Sequence, residues 1–314
     1  MRGRRAFVVV GPTASGKSTV GQYLAERMHG AILSADSMLV YSGMDIGTAK
    51  PAISERGRVP YLGLDLVRPD EDFDVWQYVQ LVRAQVAALP PEMPLLVVGG
   101  SGLYVKALIE GLDTAAPPLD RERWELIFAE RGVDGLQEVL RALNPVALER
   151  LADPLNPRRL IRAIEQAAQV RGAKESPQTW RRGGQGDIPF AGLMPEGMQL
   201  RQRIAQRVEK MYQDGLLAEA QRLRQDYPTL SSTACQAIGY REAFAVLDGE
   251  LDDKQAQERT IIRTNRLAKR QRTWFRHQAH VEWVTPDADF DVAQIASEID
   301  QIWRKHGPVQ IREQ

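Results

Sequence analysis

The sequence predicts an α/β fold, a P-loop NTPase-like parallel sheet core interrupted by a mostly helical insertion, and three observations carry that expectation. The apolar run Ala6-Phe7-Val8-Val9-Val10 opens directly into Gly11-Pro12-Thr13-Ala14-Ser15-Gly16-Lys17-Ser18, which satisfies G-x-x-x-x-G-K-[ST] and precedes a helix-compatible segment from Thr19 to His29. Further short apolar runs at 31–36 and 94–98 are bounded by polar clusters, glycines or helical periodicity. From Leu112 the character changes to charged helical segments, so the core is expected at 1–112 and 188–314 and the insertion at 113–187.

Composition bounds the rest. At 314 residues and 43% hydrophobic, the chain can bury a substantial core. Its 41 Lys and Arg balance 41 Asp and Glu, so a nucleic-acid partner must be met by a local basic surface rather than by net charge. Cys235 is the sole cysteine, which excludes an internal disulfide and a cysteine-rich zinc site and fits a buried thiol in a reducing cytoplasm. No stretch approaches the roughly 18 apolar residues of a membrane span. With no signal-peptide pattern after Met1, a soluble, cytoplasmic protein is expected.

In chain order, the first strand feeds a loop whose glycines let consecutive backbone N–H groups face phosphate oxygens, with Lys17 as a mobile cation and Ser18 as an oxygen for Mg²⁺. The motif leaves the phosphorylated ligand open. Ala31 to Asp36 reads as a second strand, and in parallel sheets ligands lie beyond the carboxyl ends of strands, so Asp36 should stand beside Lys17. A carboxylate there acts as general base, holds a metal's water shell, or caps a helix. Gly43 to Pro51 looks like a shaped loop, and 54–75 looks irregular, its acidic run Asp70 to Asp74 marking a helix start. A helix follows from Val75 to Leu89, ended by Pro90-Pro91. The strand Pro94 to Val98 then runs into Gly99-Gly100-Ser101-Gly102, where a triphosphate hydrolase would carry a Mg²⁺-holding Asp. Three glycines in four residues suit close backbone approach to a ligand, with Ser101 as a hydrogen-bonding group.

Pro117-Pro118 marks the break into the insertion, where 153–157 caps a helix bearing Arg158, Arg162 and Glu165 on one side, by residue type alone a solvated face. Residues 172–187, glycine-rich and basic, are expected to be a mobile loop, and Ile188 to Met194 a return strand. A long helix from Met198 has Leu200, Ile204, Val208 and Met211 as its apolar stripe, leaving Arg203 and Arg207 together on a polar face. The most basic stretch places Arg259, Arg263, Arg266 and Arg270 at helical spacing, a row suited to phosphates, with Trp274 and Phe275 anchoring its end in a core. Val281 to Val284 is expected as a last strand and 290–305 as a terminal helix, while His29, His277, His280 and His306 lack metal-ligand spacing.

Taken together, Gly11 to Ser18, Asp36-Ser37 leading to Tyr41, Gly-Met-Asp-Ile-Gly-Thr-Ala-Lys at 43–50 and Val-Gly-Gly-Ser-Gly-Leu-Tyr at 98–104 resemble the tRNA dimethylallyltransferases, or tRNA isopentenyltransferases, and the likeness continues to residue 276. The resemblance implies transfer of a dimethylallyl group from dimethylallyl diphosphate to N6 of the adenosine next to the anticodon on its 3′ side, with Mg²⁺ and release of pyrophosphate. It implies Asp36 as base, with Lys17, Arg207, Ser101 and the amides of the phosphate loop (Gly11, Pro12, Thr13, Ala14, Ser15, Gly16, Lys17, Ser18) serving the diphosphate. A tRNA anticodon stem-loop would meet Asp36, Ser37, Met38, Leu39 and Ser101, then Arg158, Arg159 and Arg162 of the insertion. Gln236, Gly239, Tyr240 and Arg241 would touch RNA further on, with Arg266 and Arg270, and the protein would act as a monomer away from membranes. Leu39, Tyr61 and Ser101 depart from the family's usual residues. A small-molecule kinase, or an RNA-binding protein with a vestigial loop, are the other readings of the same motifs.

Overall fold

The computed structural model describes residues 4–111, 120–151, 153–170 and 189–311. The Pro117-Pro118 break, the segment 172–187 and the expected strand start at Ile188 lie outside the described residues. The chain divides into two compact units, one of Met1–Gly111 with Arg182–Gln314 and one of Leu112–Arg181.

The first unit is built on a sheet of β1 (Arg5–Val10), β2 (Ala31–Ser34), β3 (Tyr61–Leu62), β4 (Leu95–Gly99), β5 (Phe190–Leu193), β6 (Val281–Val284) and β7 (Val309–Gln310). The order β3-β2-β4-β1-β5-β6 is parallel throughout, and β7 joins β1 antiparallel. Consecutive residues of β1 and β4, Val8 to Val10 and Leu95 to Val98, are all buried, so both faces of the central strands are covered. Unbroken apolar runs rather than alternation are what such strands require. On one face Val9, Ile32, Leu96, Val98 and Leu193 pack with Val20 and Leu24 of the helix Lys17–Met28 and with Ile295, Ile299 and Trp303 of the helix Val292–His306.

Register then places the site. Val10 lies opposite Gly99 on one side and Gly192 on the other, and Ser34 lies opposite Val98. The carboxyl ends of β2, β4, β1 and β5 therefore open onto one edge, where parallel sheets bind ligands. Local signals fix the flanking helices: Asp74 accepts from the Gln77 N–H at the start of Val75–Ala87, and Asp252 does the same for Gln255 at the start of Asp253–Gln278. Phe275 anchors the latter helix, fully buried with edge contacts to Trp274 and Trp283 at 5.1 and 6.5 Å.

Within the second unit, Trp124, Leu136 and Leu140 of Arg121–Leu143 pack on Leu160, Ile161 and Ile164 of Pro157–Val170. Gly132 interrupts the first of these helices with φ 62°. Asn156, followed by Pro157, caps the second by accepting from the Arg158 and Arg159 N–H groups.

Several expectations need correction. The second strand ends at Ser34, leaving Asp36 in a turn. Residues 54–75 are not wholly irregular: the helix Ile53–Arg56 reaches into them and they contain β3, whose Tyr61 and Leu62 pair with Ile32 and Leu33. Cys235 is half-buried rather than buried, its thiol directed at the Leu230 carbonyl. Glu165 is not on a solvated face; it is wholly buried and ion-paired with Arg162 and Arg121 of its own unit. Among the described residues, no helix is long and apolar enough to cross a membrane.

Candidate active site around the phosphate loop

The loop 11–18 closes β1 and turns into the helix Lys17–Met28 through Gly16, whose φ of 91° is left-handed. A Cβ at Gly16 would stand 2.1 Å from the Phe290 ring, so glycine is required twice over. The Arg203 guanidinium lies 3.9 Å from the centre of that same ring, which makes Phe290 a floor between the loop and the helix Gly197–Gln213. Among the described residues nothing accepts the N–H groups of Gly16, Lys17 and Ser18, the free donors of a helix start. Thr13 differs: its N–H is given to Gln271 Oε1 at 2.8 Å, tying the loop to the basic helix.

Lys17 is buried, with Nζ donating to the Pro12 carbonyl at 3.3 Å. Burial is the main cause that lowers its pKa to about 8; Asp36 pulls it back up and Arg207 pushes it further down. Lys17, Asp36 and Arg207 line one pocket together with Thr13, Ser18 and Thr48. Asp36, expected beside the cradle, is there, its Oδ1 accepting from the Met38 N–H at 2.9 Å in a tight turn and capping no helix. Arg207 is not a surface arginine: Nη2 donates to the Thr48 carbonyl at 2.9 Å, burial depresses its pKa, and Asp36 opposes that shift.

Ser101, expected at the site, is not among the residues lining this pocket and is bonded instead to the turn that carries Asp36. Its Oγ accepts from the Ser37 N–H at 3.0 Å and donates to Ser37 Oγ at 3.2 Å, while its own N–H donates to the Ala35 carbonyl. A Cβ at Gly99 would fall 2.1 Å from that Ala35 carbonyl, so only glycine lets β4 and the turn after β2 approach this closely. Gly99 thus serves a backbone-to-backbone contact that carries Asp36 to the pocket, whereas Gly100 makes room for Gln271 and Gly102 for the Trp274 ring. Leu39 and Tyr61, two of the residues that depart from the family's usual pattern, line the same pocket, with the Tyr61 hydroxyl donating to Gln22 at 2.8 Å. Burial pushes the Tyr61 phenol up to about 12.

Other expected residues are more scattered. Arg266 and Arg270 are exposed on Asp253–Gln278, where among the described residues only Arg263 of the row is ion-paired, to Glu242 at 2.5 Å. Gln236 and Arg241 are exposed near the start of Tyr240–Leu247, but Gly239 and Tyr240 are buried. Tyr240 therefore offers no face to a base; its hydroxyl donates to Glu219 Oε1 at 2.5 Å and accepts from the Gly47 N–H. Arg158 and Arg159 are exposed on the second unit, and Arg162 is ion-paired to Glu165. Sequence reasoning missed Gln271, Phe290, Thr48 and Glu219. Only Thr48 lies in a motif, that of 43–50, and each acts through a contact between segments far apart in the chain.

The site's oxygen donors suit a divalent cation that keeps most of its ligands from water and phosphate. Ser18 is exposed at the pocket beside the Asp36 carboxylate, and among the described residues no cluster of three or more His, Cys, Asp or Glu would cage a metal.

Comparison with known proteins gives a consistent picture. Residues 39–278 match the family described as IPP transferase. A tRNA dimethylallyltransferase from Streptomyces griseus is 40% identical over 286 residues, 89% of this chain and 90% of that relative. The solved full-length tRNA isopentenylpyrophosphate transferase from Bacillus halodurans is 32% identical, covers 96% of this chain and 98% of its own, and superposes with a TM-score of 0.69. A eukaryotic dimethylallyltransferase acting on tRNA shares the fold at a TM-score of 0.78 and 22% identity, covering 99% of this chain and 81% of that one.

Proposed function

The chain belongs to the IPP transferase family, and from that premise we propose that it transfers a dimethylallyl group from dimethylallyl diphosphate to N6 of the adenosine on the 3′ side of the tRNA anticodon, releasing pyrophosphate. The observation that carries the reading is the meeting of one carboxylate and two cations, Asp36, Lys17 and Arg207, at a phosphate loop whose amides at 16–18 have no acceptor among the described residues. An exocyclic adenine amine is a weak nucleophile because its lone pair is delocalised into the ring, so the enzyme must position it and take its proton as the N6–C1 bond forms. Asp36, oriented by Met38, receives that proton. The C1–O bond breaks with its electron pair on the diphosphate, whose growing charge falls to Lys17, Arg207 and the amides of residues 16–18. Ser101 supports the reaction by fixing Ser37 and hence the turn that bears Asp36.

Ser18, with Asp36 near by, would hold a Mg²⁺ whose chemistry would be further neutralisation of the diphosphate's charge. The base must leave its stack to be read, a step suited to single-stranded anticodon nucleotides. Arg266 and Arg270 of the core, with Arg158, Arg159 and Arg162 of the insertion, are the cations assigned to tRNA phosphates, and Gln236 and Arg241 are further exposed residues of the core assigned to RNA. The same reading makes the protein a monomer of the cytoplasm, where tRNA is modified. The test is direct: incubate the protein with Mg²⁺, undermodified tRNA and either dimethylallyl diphosphate or ATP, and read nucleosides by mass. A five-carbon gain on adenosine with the diphosphate alone is the expected result; phosphate transfer from ATP would instead make it a kinase.

A further inference from the structure

The loop 43–50 has no regular structure, yet it is held from Met44 to Lys50. The N–H groups of Asp45, Ile46 and Gly47 all donate to the Glu219 carboxylate, at 3.2, 3.0 and 3.3 Å. Successive amides turned to one point form an anion-binding nest, and here the anion is a side chain of the chain itself. Glu219, on the helix Leu216–Asp226, is 2% exposed. Tyr240 completes the clasp, giving its hydroxyl proton to Glu219 and accepting from Gly47. Burial and the neighbouring carboxylate raise the Tyr240 pKa far above its ordinary value, so the phenol remains a donor at any working pH. On the other flank Lys50 Nζ donates to the Tyr41 carbonyl, Asp45 and Asp65 at 2.7, 2.7 and 2.6 Å.

The carbonyl of Thr48, the residue after the last clasped amide, is the one that receives Arg207 Nη2. The guanidinium is thereby aimed by a peptide group whose own position is set one residue earlier. We propose that Glu219 and Tyr240 are positioning residues for the transfer step: their clasp on amides 45–47 fixes the Thr48 carbonyl, and through it the orientation of Arg207 toward the leaving diphosphate. This rests on the role of Arg207 under the proposed function, and it turns the buried tyrosine of the Gly239-Tyr240-Arg241 segment from an RNA contact into part of the chemistry's support.

A double-mutant cycle tests it with tRNA affinity, kcat and melting temperature measured for each protein. Tyr240→Phe removes one hydroxyl and keeps the ring, and misplacing a charge-bearing group by a fraction of its reach is expected to lower kcat roughly tenfold or more, with the tRNA Kd unchanged. Glu219→Gln should act in the same direction and more strongly; if it fails to fold, Tyr240→Phe carries the test alone. In an Arg207→Ala background Tyr240→Phe should cost less than about twofold, because the group it positions is gone. A full loss from Tyr240→Phe in that background, or a parallel loss of tRNA affinity, overturns the clasp while leaving Arg207 in its role. Wild-type kcat in Arg207→Ala itself overturns the underlying reading and the clasp with it.

Discussion

At the scale of single residues, the site sets two side chains against their surroundings. Among the described residues Asp36 is the only carboxylate at the pocket that also holds Lys17 and Arg207, so Asp36→Asn should reduce kcat by about 10²–10⁴ while tRNA binding, measured by filter retention, stays within a factor of two or so. Equal losses in both would make Asp36 an RNA contact. Lys17 carries its charge in a place that disfavours it: a pKa lowered from 10.5 to about 8 corresponds to about 3 kcal/mol, which a bound diphosphate offsets. Two opposite pH trends follow. In the free enzyme the lysine loses its proton above pH 8, so kcat/KM for dimethylallyl diphosphate should fall there, and binding near pH 8 should take up a proton, visible as a buffer-dependent heat in calorimetry. Between pH 8 and 10.5 the unfolded chain binds the proton that the folded one has released, so the Lys17 contribution to stability rises across that window as activity declines. Lys17→Met separates the two, with a higher melting temperature and no diphosphate binding as the expected pair.

At the scale of elements, the helix Asp253–Gln278 serves two surfaces at once, exposing Arg266 and Arg270 while Gln271 takes the Thr13 N–H of the phosphate loop. Replacing both arginines by Gln should flatten the slope of log K against log salt for tRNA by about 0.7–0.9 for each phosphate that is no longer neutralised; an unchanged slope removes this helix from the interface. Most of the elements were legible beforehand because their signals are local. Unbroken valine and leucine runs at β1 and β4, the acidic run that ends at Asp74 and the proline stop at 90 each act over a few residues. β3 escaped notice because a two-residue strand has no periodicity, and the role of its Tyr61 and Leu62 exists only beside Ile32 and Leu33. The site divides the same way: Lys17 and Asp36 follow from strand ends, whereas the depth of Arg207, the burial of Tyr240 and the hold of Glu219 depend on contacts across roughly 20 to 170 residues of chain. A polar face on a helical wheel cannot tell solvent from a pocket, which is why Arg207 and Glu165 both read as surface groups.

At the scale of the whole molecule, the first unit is discontinuous in sequence and the second, Leu112–Arg181, has its own apolar cluster around Leu136 and Leu160. Urea unfolding followed by far-UV circular dichroism and by tryptophan fluorescence should give transitions that do not coincide, since Trp124 reports the second unit and Trp283 and Trp303 the first; a single superimposable transition would contradict independent cores. The place of β1 in the sheet has a kinetic corollary. The strand that bears the phosphate loop precedes every other described strand, yet Phe7 must wait for Leu96 and Val9 for Val98 before either has a partner, and Val9 gains its second, Ala191, later still. During synthesis that valine-rich segment emerges long before its neighbours, an exposed strand edge prone to mispairing. Its closure by pairings this distant in sequence makes the nascent chain a natural client for chaperones and sets a slow late step in folding.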